Sequence, residues 1–233
     1  MRFLVFQLYG PMVSWGGPAA EYRPTDRYPT RSAVIGLIAG ALGIRRQDSD
    51  KLHELDVAVN IAVEVWSEGT LLRDYHTIQS PRLKKKDNPQ TRQQELSGDH
   101  DLGTIISTRD YRADAYYRVA MQSTEDDQWL ENAYMALRSP RWIPYLGRKA
   151  CPSGLPFNPK LVDASDLVEA LAEYGPVPEF ADSFTQWAPR MIASDRPLDA
   201  ERSRRITRRD GIGSRSNWTF KERQEWLVER VDD

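Results

Sequence analysis

An α+β sandwich is the fold class that this sequence predicts, and three observations carry the prediction. Residues Val59, Ile61, Val63 and Val65 recur at every second position, the pattern of a half-buried strand. Two other segments, 30–42 and 124–137, space their apolar residues three and four apart, as a helix packed on one face requires. Taken together, the segments run strand, helix, strand, strand, insertion, strand, helix, which is the order of a ferredoxin-like or RRM-like domain.

Each element follows from local chemistry. Arg2 to Tyr9, rich in Phe, Leu and Val, reads as the first strand and is expected to stop at Gly10-Pro11. Met12 to Pro29 holds Gly16, Gly17, Pro18, Pro24 and Pro29 among aromatics and arginines, so an irregular surface loop is expected there. Thr30 to Leu42 follows as a helix with Val34, Ile35, Ile38, Ala41 and Leu42 on one face, closed by Gly43. Val57 to Trp66 and Leu71 to Ile78 read as two antiparallel strands joined by a hairpin turn at Ser67-Glu68-Gly69-Thr70.

The next stretch changes character. From Gln79 to Thr104 the chain carries Pro81, Lys84-Lys85-Lys86, Asn88-Pro89 and Ser97-Gly98 with hardly any apolar residue, so it is an insertion or a long hairpin tip. Strand character returns at Ile105 to Thr108 and at Ala115 to Met121. Thr124 is placed to cap a helix bearing Trp129, Leu130, Ala133, Tyr134 and Leu137, whose positive end suits Asp126 and Asp127. Beyond Pro152 the chain is rich in Pro and short segments, with one helix expected at Ala164 to Tyr174. The expected organisation is a ferredoxin-like domain over 1–152, with an insertion at 79–108, and a small C-terminal region over 153–233.

Composition narrows the function. A chain of 233 residues with 40% hydrophobic and 28% charged residues suits a soluble globular protein, and no apolar run is long enough for a membrane helix. The start MRFLVFQLYG lacks the features of a secretory signal, so a cytoplasmic address is expected. One cysteine and three scattered histidines offer no metal-ligand spacing, and neither a metal nor another cofactor is expected. The net charge of −2 conceals an uneven distribution. Ten Arg or Lys face five acids between Arg190 and Arg223, while Asp163 to Pro189 holds six acids and no base. Such polarity suits an anionic ligand on one side and protein partners elsewhere, though chance clustering of solvated charge gives the same pattern.

Three segments mix cations, hydroxyls and aromatics: Arg23 to Ser32, Arg73-Asp74-Tyr75-His76, and Pro144-Tyr145-Leu146-Gly147-Arg148-Lys149-Ala150-Cys151-Pro152. Arginine and lysine neutralise phosphates, aromatic faces stack on bases, and in single-stranded RNA the bases and 2′-hydroxyls are both reachable. Arg-Tyr pairs also serve as ordinary surface contacts. Cys151, with no histidine near it in sequence, reads as a small buried hydrophobe rather than a nucleophile. His76 has two open readings, a general base on a ribose hydroxyl and a hydrogen-bonded structural group.

The run GPMVSWGGPAAEYRPTDRYPTRSAVIGLIAGALGI, followed by LRDYHTI and IPYLGRKACP, resembles the CasD family of subunits from subtype I-E CRISPR Cascade complexes. The likeness covers much of residues 10–44, 72–78 and 143–152 and weakens in the insertion and beyond residue 155. It implies a RAMP-type protein with a ferredoxin-like core, a β-hairpin thumb over 79–108 and a small C-terminal part. It also implies a noncatalytic role: gripping the 5′ handle of the CRISPR RNA, capping the backbone filament and helping to seat the large PAM-recognising subunit. The partners implied are the CRISPR RNA, the backbone, large and other Cascade subunits, and target DNA through the assembled complex.

Carried over residue by residue, the resemblance implies RNA contacts at Arg27, Arg31 and Ser32, at Arg73 and His76, and at Tyr145, Gly147 and Arg148; Arg23 and Lys149 are expected to join them as cations of the same basic segments. In the thumb it implies contacts at Lys84, Lys85, Lys86 and Arg109, where the lysine run also reads as a solvated tip. Arg202, Arg204, Arg205, Arg208 and Arg209 are left open between RNA and an acidic neighbour. The alternative function is a metal-independent endoribonuclease that processes precursor CRISPR RNA, because relatives of this fold cleave with tyrosine, lysine and histidine and this chain has Tyr75 beside His76.

Overall fold

The computed structural model describes residues 1–16, 22–81, 89–97, 102–175, 188–198, 203–214 and 219–229. In chain order the elements are β1 (Arg2–Val13), β2 (Tyr22–Arg23), α1 (Arg31–Leu42), α2 (Ser49–Ala58), β3 (Val59–Ser67), β4 (Thr70–Pro81), α3 (Arg92–Ser97), β5 (Leu102–Ser123), α4 (Gln128–Arg138), β6 (Lys160–Asp163), α5 (Leu167–Glu173), β7 (Met191–Ser194), β8 (Arg204–Ser214) and β9 (Thr219–Glu229).

The strands form one sheet in the order β6-β1-β5-β3-β7-β9-β8. Its first four are the fourth, first, third and second strands of a ferredoxin-like core, so the α+β class and the core topology agree with the expectation. The fourth core strand, β6, lies past residue 152 and pairs with β1 from Arg2↔Asp163 to Val5↔Lys160. β7, β9 and β8 extend the sheet at the β3 side, while β2 and β4 pair with β5.

Phe3 to Leu8 are buried almost without alternation because both faces of β1 are covered. Leu4, Phe6 and Leu8 join the core beneath α1, α2 and α4, with Ile35, Ile38, Leu55, Leu130 and Leu137. Phe3 and Val5 join the opposite core beneath α5, with Leu171 and Tyr174. Each such side chain contributes about 1.5–3 kcal/mol on burial. Helix α1 is capped as the sequence implies: Thr30 accepts from the Ala33 N–H, and Gly43 ends the helix at φ 77°.

Four local expectations are corrected. β1 passes through Gly10-Pro11 to Val13, because Pro11 falls between the pairs Gly10↔Ala115 and Met12↔Ala113, where Asp114 (φ 56°) leaves the ladder. The segment Ser49–Ala58 is helical, anchored by buried Leu52 and Leu55, so the strand begins at Val59 rather than Val57. Thr124 does not cap α4; its hydroxyl donates to the Val57 carbonyl, and Asp127 occupies the cap position.

The fourth correction matters most for function. β3 and β4 do not pair with each other. β3 pairs with Tyr116–Ser123 of β5, and β4 pairs with Leu102–Ala113 of the same strand, so the two run end to end. Gly69 (φ 71°) marks a kink and not a reversal: a Cβ there would lie 2.3 Å from the Ala113 carbonyl oxygen. One long β5 therefore replaces the two short strands expected, and with β4 it projects a hairpin beyond the core.

A buried ionic cluster fastens the added strands to α1. Arg31 pairs with Asp56 (3.0 Å) and with Asp195. Arg223 bridges Asp195 (2.9 Å) and Asp210 (2.6 Å), and it also meets Glu225. Arg208 meets Asp26 (2.8 Å) and Glu225 (3.4 Å), while Tyr28 donates to Glu225 (2.6 Å). Burial pushes the Asp195 carboxyl up despite Arg31 and Arg223. Burial acts the same way on Asp210, but hydrogen bonds and charge from Arg223, with Arg208 and the Arg31 N–H, outweigh it and hold that group low.

Arg223→Ala leaves Asp195, Asp210 and Glu225 each short of a partner and should cost about 3–5 kcal/mol in urea unfolding. Arg204→Ala breaks only the exposed pair with Glu229 and should cost no more than about 1 kcal/mol. Equal losses would contradict a structural role for the cluster. Carboxyl-resolved NMR titration should place Asp195 above and Asp210 below the ordinary value of 3.8. With its folded pKa lowered, Asp210 contributes stability above pH 3.8 that is lost as pH falls through the folded pKa. The Asp195 contribution has the opposite sign, present below 3.8 and lost as pH rises through its raised folded value.

Candidate functional site

The tripeptide Arg-Asp-Tyr occurs at 73–75 on β4 and again at 109–111 on β5. Antiparallel pairing sets Arg73 opposite Asp110 and Asp74 opposite Arg109. Successive residues alternate in face, so the first pair lies on one side of the hairpin and the second on the other.

Asp110 is only 3% exposed, yet four segments meet on it. Its carboxylate accepts from Arg73 Nε (2.8 Å) and Nη2 (3.1 Å) and from the Tyr22 hydroxyl (2.8 Å). Its carbonyl oxygen accepts from the Ser14 hydroxyl (3.1 Å) and from Arg148 Nη1 (3.2 Å). The Arg73 hydrogen bond holds the Asp110 carboxyl below the usual range in spite of burial, and Tyr22 adds to the effect. Strand β2 pairs in parallel with β5, Tyr22 beside Thr108 and Arg23 beside Arg109, taking the place that β1 fills lower in the sheet.

Above this carboxylate the Arg73 guanidinium lies 5.6 Å from the centre of the Tyr22 ring. Arg73 is 57% and Tyr22 50% exposed, so a cation and an aromatic face are presented together. The sequence points to Arg73 but not to Tyr22, Asp110 or Tyr111; the repeated tripeptide is the signal that would have found Asp110.

The turn at 144–152 is docked on the same junction. Leu146 N–H donates to the Cys151 carbonyl (2.7 Å), Cys151 N–H to the Arg148 carbonyl (2.9 Å), and Ser14 N–H to the Leu146 carbonyl (3.1 Å). Gly147 has φ 87°, and a Cβ there would lie 1.7 Å from the Ser14 carbonyl oxygen, so only glycine fits. Arg148 lies 4.7 Å from the Tyr111 ring centre and donates to the Arg23 carbonyl (2.9 Å), which makes it a strut between β2, β5 and the turn. Tyr145 and Lys149 remain exposed. Cys151 is buried, and burial pushes its thiol up, away from the thiolate a nucleophile needs.

The other expected contacts divide. Arg27 is exposed and donates through Nε to Glu68 (2.8 Å), which also meets Arg112. Arg31, expected at the RNA surface, is turned inward: its side chain is 11% exposed and spent on Asp56, Asp195 and the Val59 carbonyl. Ser32 is also buried, its hydroxyl 3.2 Å from that of Thr30. Helix α1 needs both residues for its anchorage. His76 and Arg109 lie on the hairpin face opposite Arg73, and the buried Arg109 Nε lacks a hydrogen-bond partner. Lys84, Lys85 and Lys86 lie outside the described residues.

Alternation also separates Tyr75 from His76 on opposite faces of β4, so the two side chains do not converge on one phosphate. His76 Nδ1 lies 3.8 Å from Asp74 Oδ2. Among the described residues no group of three or more His, Cys, Asp or Glu is arranged to hold a metal ion.

Comparison with known proteins agrees with this architecture. Residues 3–224 match the family model described as CRISPR-associated protein Cas5. The CRISPR system Cascade subunit CasD of Escherichia coli (strain K12) is 36% identical over 185 residues, covering 75% of this chain and 78% of the relative. A chain from a solved CRISPR RNA-guided surveillance complex superposes with a TM-score of 0.63 at 28% identity, covering 97% of this chain and 88% of that one. A crystal structure of a Cas protein superposes with a TM-score of 0.58 at 25% identity, covering 98% and 94%. With nearly its whole length matched in sequence and in fold, this chain belongs to the CRISPR-associated Cas5 family.

Proposed function

We propose that this chain is a noncatalytic subunit of a Cascade-type, RNA-guided surveillance complex and that it grips the 5′ handle of the CRISPR RNA. The ribbon of β2, β5 and β4 supports this reading, because it carries cations on both faces. Arg73 stacked on Tyr22 occupies one face; Arg23, Arg109 and His76 occupy the other, with Arg148 over Tyr111. Tyr145 and Lys149 extend the second group from the adjoining turn. A single strand has its charge on the outside and its bases free, so it contacts both kinds of group at once. The relatives named above, a Cascade subunit and a chain of a surveillance complex, support the assembly in which this occurs. Capping of the backbone filament, seating of the large subunit and a hairpin that acts as a thumb over the guide belong to the same reading.

Anisotropy titration with handle-bearing RNA tests it. Affinity should fall steeply with salt, and Arg73→Ala should reduce the magnitude of the log–log slope by about 0.7, one single-strand phosphate contact. Affinity independent of salt would exclude phosphate recognition. Asp110→Asn gives a test of sign. Simple electrostatics predicts tighter RNA binding once a negative charge is removed. The support role predicts binding weaker by about tenfold or more, the scale of one charge-assisted hydrogen bond at 1.5–3 kcal/mol. For the catalytic question, repeat RNA incubated with the protein without metal should stay intact. Cleavage abolished by His76→Ala would defeat the noncatalytic reading.

A further inference from the structure

We propose that the surface at the C-terminal end of α4 docks an acidic protein partner, with Ile143 as its central contact. The inference rests on the reading of this chain as one subunit of an assembly, and it adds a second surface to the RNA-binding one.

Three observations carry it. Arg138 and Arg141 are exposed at this end of α4, and no Asp or Glu occurs in the sequence between Glu131 and Asp163. Within that stretch Ile143 is 89% exposed, the highest value among the exposed large hydrophobic residues described, and neighbouring Trp142 is 42% exposed. Pro140, three residues before Ile143, lines an open groove of about 570 Å³ together with Tyr134, Leu137, Arg138, Phe157 and Asn158.

The surface is held ready. Pro144 restricts the backbone of Ile143, the residue before it. Arg141 N–H donates to the Ala41 carbonyl (2.9 Å), and its side chain lies against Gly43. The far wall is fixed by Gln7, which donates to the Phe157 carbonyl (2.9 Å) through its backbone and to the Pro156 carbonyl (2.8 Å) through Nε2. Tyr174 donates to the Asn158 carbonyl (2.8 Å). A partner therefore spends little free energy on ordering this side.

The chemistry separates a protein from a nucleic acid. A branched aliphatic chain neither stacks on a base nor bonds a phosphate, and neighbouring Trp142 adds a second exposed apolar side chain. An apolar centre with Trp and Arg nearby and a charged rim is the anatomy of a protein interface. Exposed Arg138 and Arg141 select carboxylates on the partner.

The experiment uses the chain co-expressed with the guide RNA and the other protein subunits of its complex, with subunit occupancy read by native mass spectrometry. Ile143→Asp and Arg138→Glu, both at exposed positions, should each weaken retention of one acidic subunit by about tenfold or more. Handle-RNA affinity of the isolated chain should stay within about twofold. Full retention of every subunit by both variants would overturn the proposal. So would an equal loss of RNA affinity, which would make nucleic acid the occupant. If the unmodified chain bound no RNA and the variants still lost one subunit, the docking surface would stand and the RNA reading would fall.

Discussion

A carboxylate sealed from water in the middle of an exposed hairpin is a demanding feature, and Asp110 shows how the fold meets the demand. Ionised and 3% exposed, it is stable only while its oxygens are filled, and Arg73 and Tyr22 fill them from two strands that flank β5. The carbonyl of the same residue takes Ser14 and Arg148. One residue thus determines where β2, β4, the Ser14 segment and the turn at 144–152 come to rest. The cations above it are aimed by those bonds rather than by packing, so their outward edges remain available.

The arginines of this chain serve two different purposes. Arg31, Arg208 and Arg223 are spent inside, where five carboxylates surround three guanidinium groups and bind β8 and β9 to the start of α1. Arg73, Arg27 and Lys149 stay at the surface. A basic stretch in sequence is therefore not a basic patch in space. The region 190–223, which holds the largest excess of bases, contributes two of its arginines to the buried cluster.

How much of the candidate site was legible follows from the same division. The three basic blocks do meet, at Asp110, and Cys151 is buried as its chemistry suggests, while the close approach at Gly147 is to the chain's own Ser14 carbonyl. Arg31 was misjudged because an arginine beside a helix start has the same local appearance whether its partner is a phosphate or a buried Asp195, 164 positions away. Tyr22 and Asp110 were missed because each is unremarkable until β2 and β5 lie side by side. The Arg-Asp-Tyr repeat held part of that information, since matched dipeptides on antiparallel strands face charge to opposite charge.

Local chemistry by itself determined the ferredoxin-like core of this protein: period-2 and helical spacings, the Thr30 and Gly43 caps, and the break in character at 79 all act within a few residues. Tertiary structure alone decided that β3 and β4 share one partner instead of pairing together, and that the late strands β7, β9 and β8 extend the same sheet. It also decided which arginines are consumed in the interior. These outcomes depend on register and on desolvated charge pairs between distant segments. The energy of such a pair exists only once both partners have left water, so neither segment signals it alone.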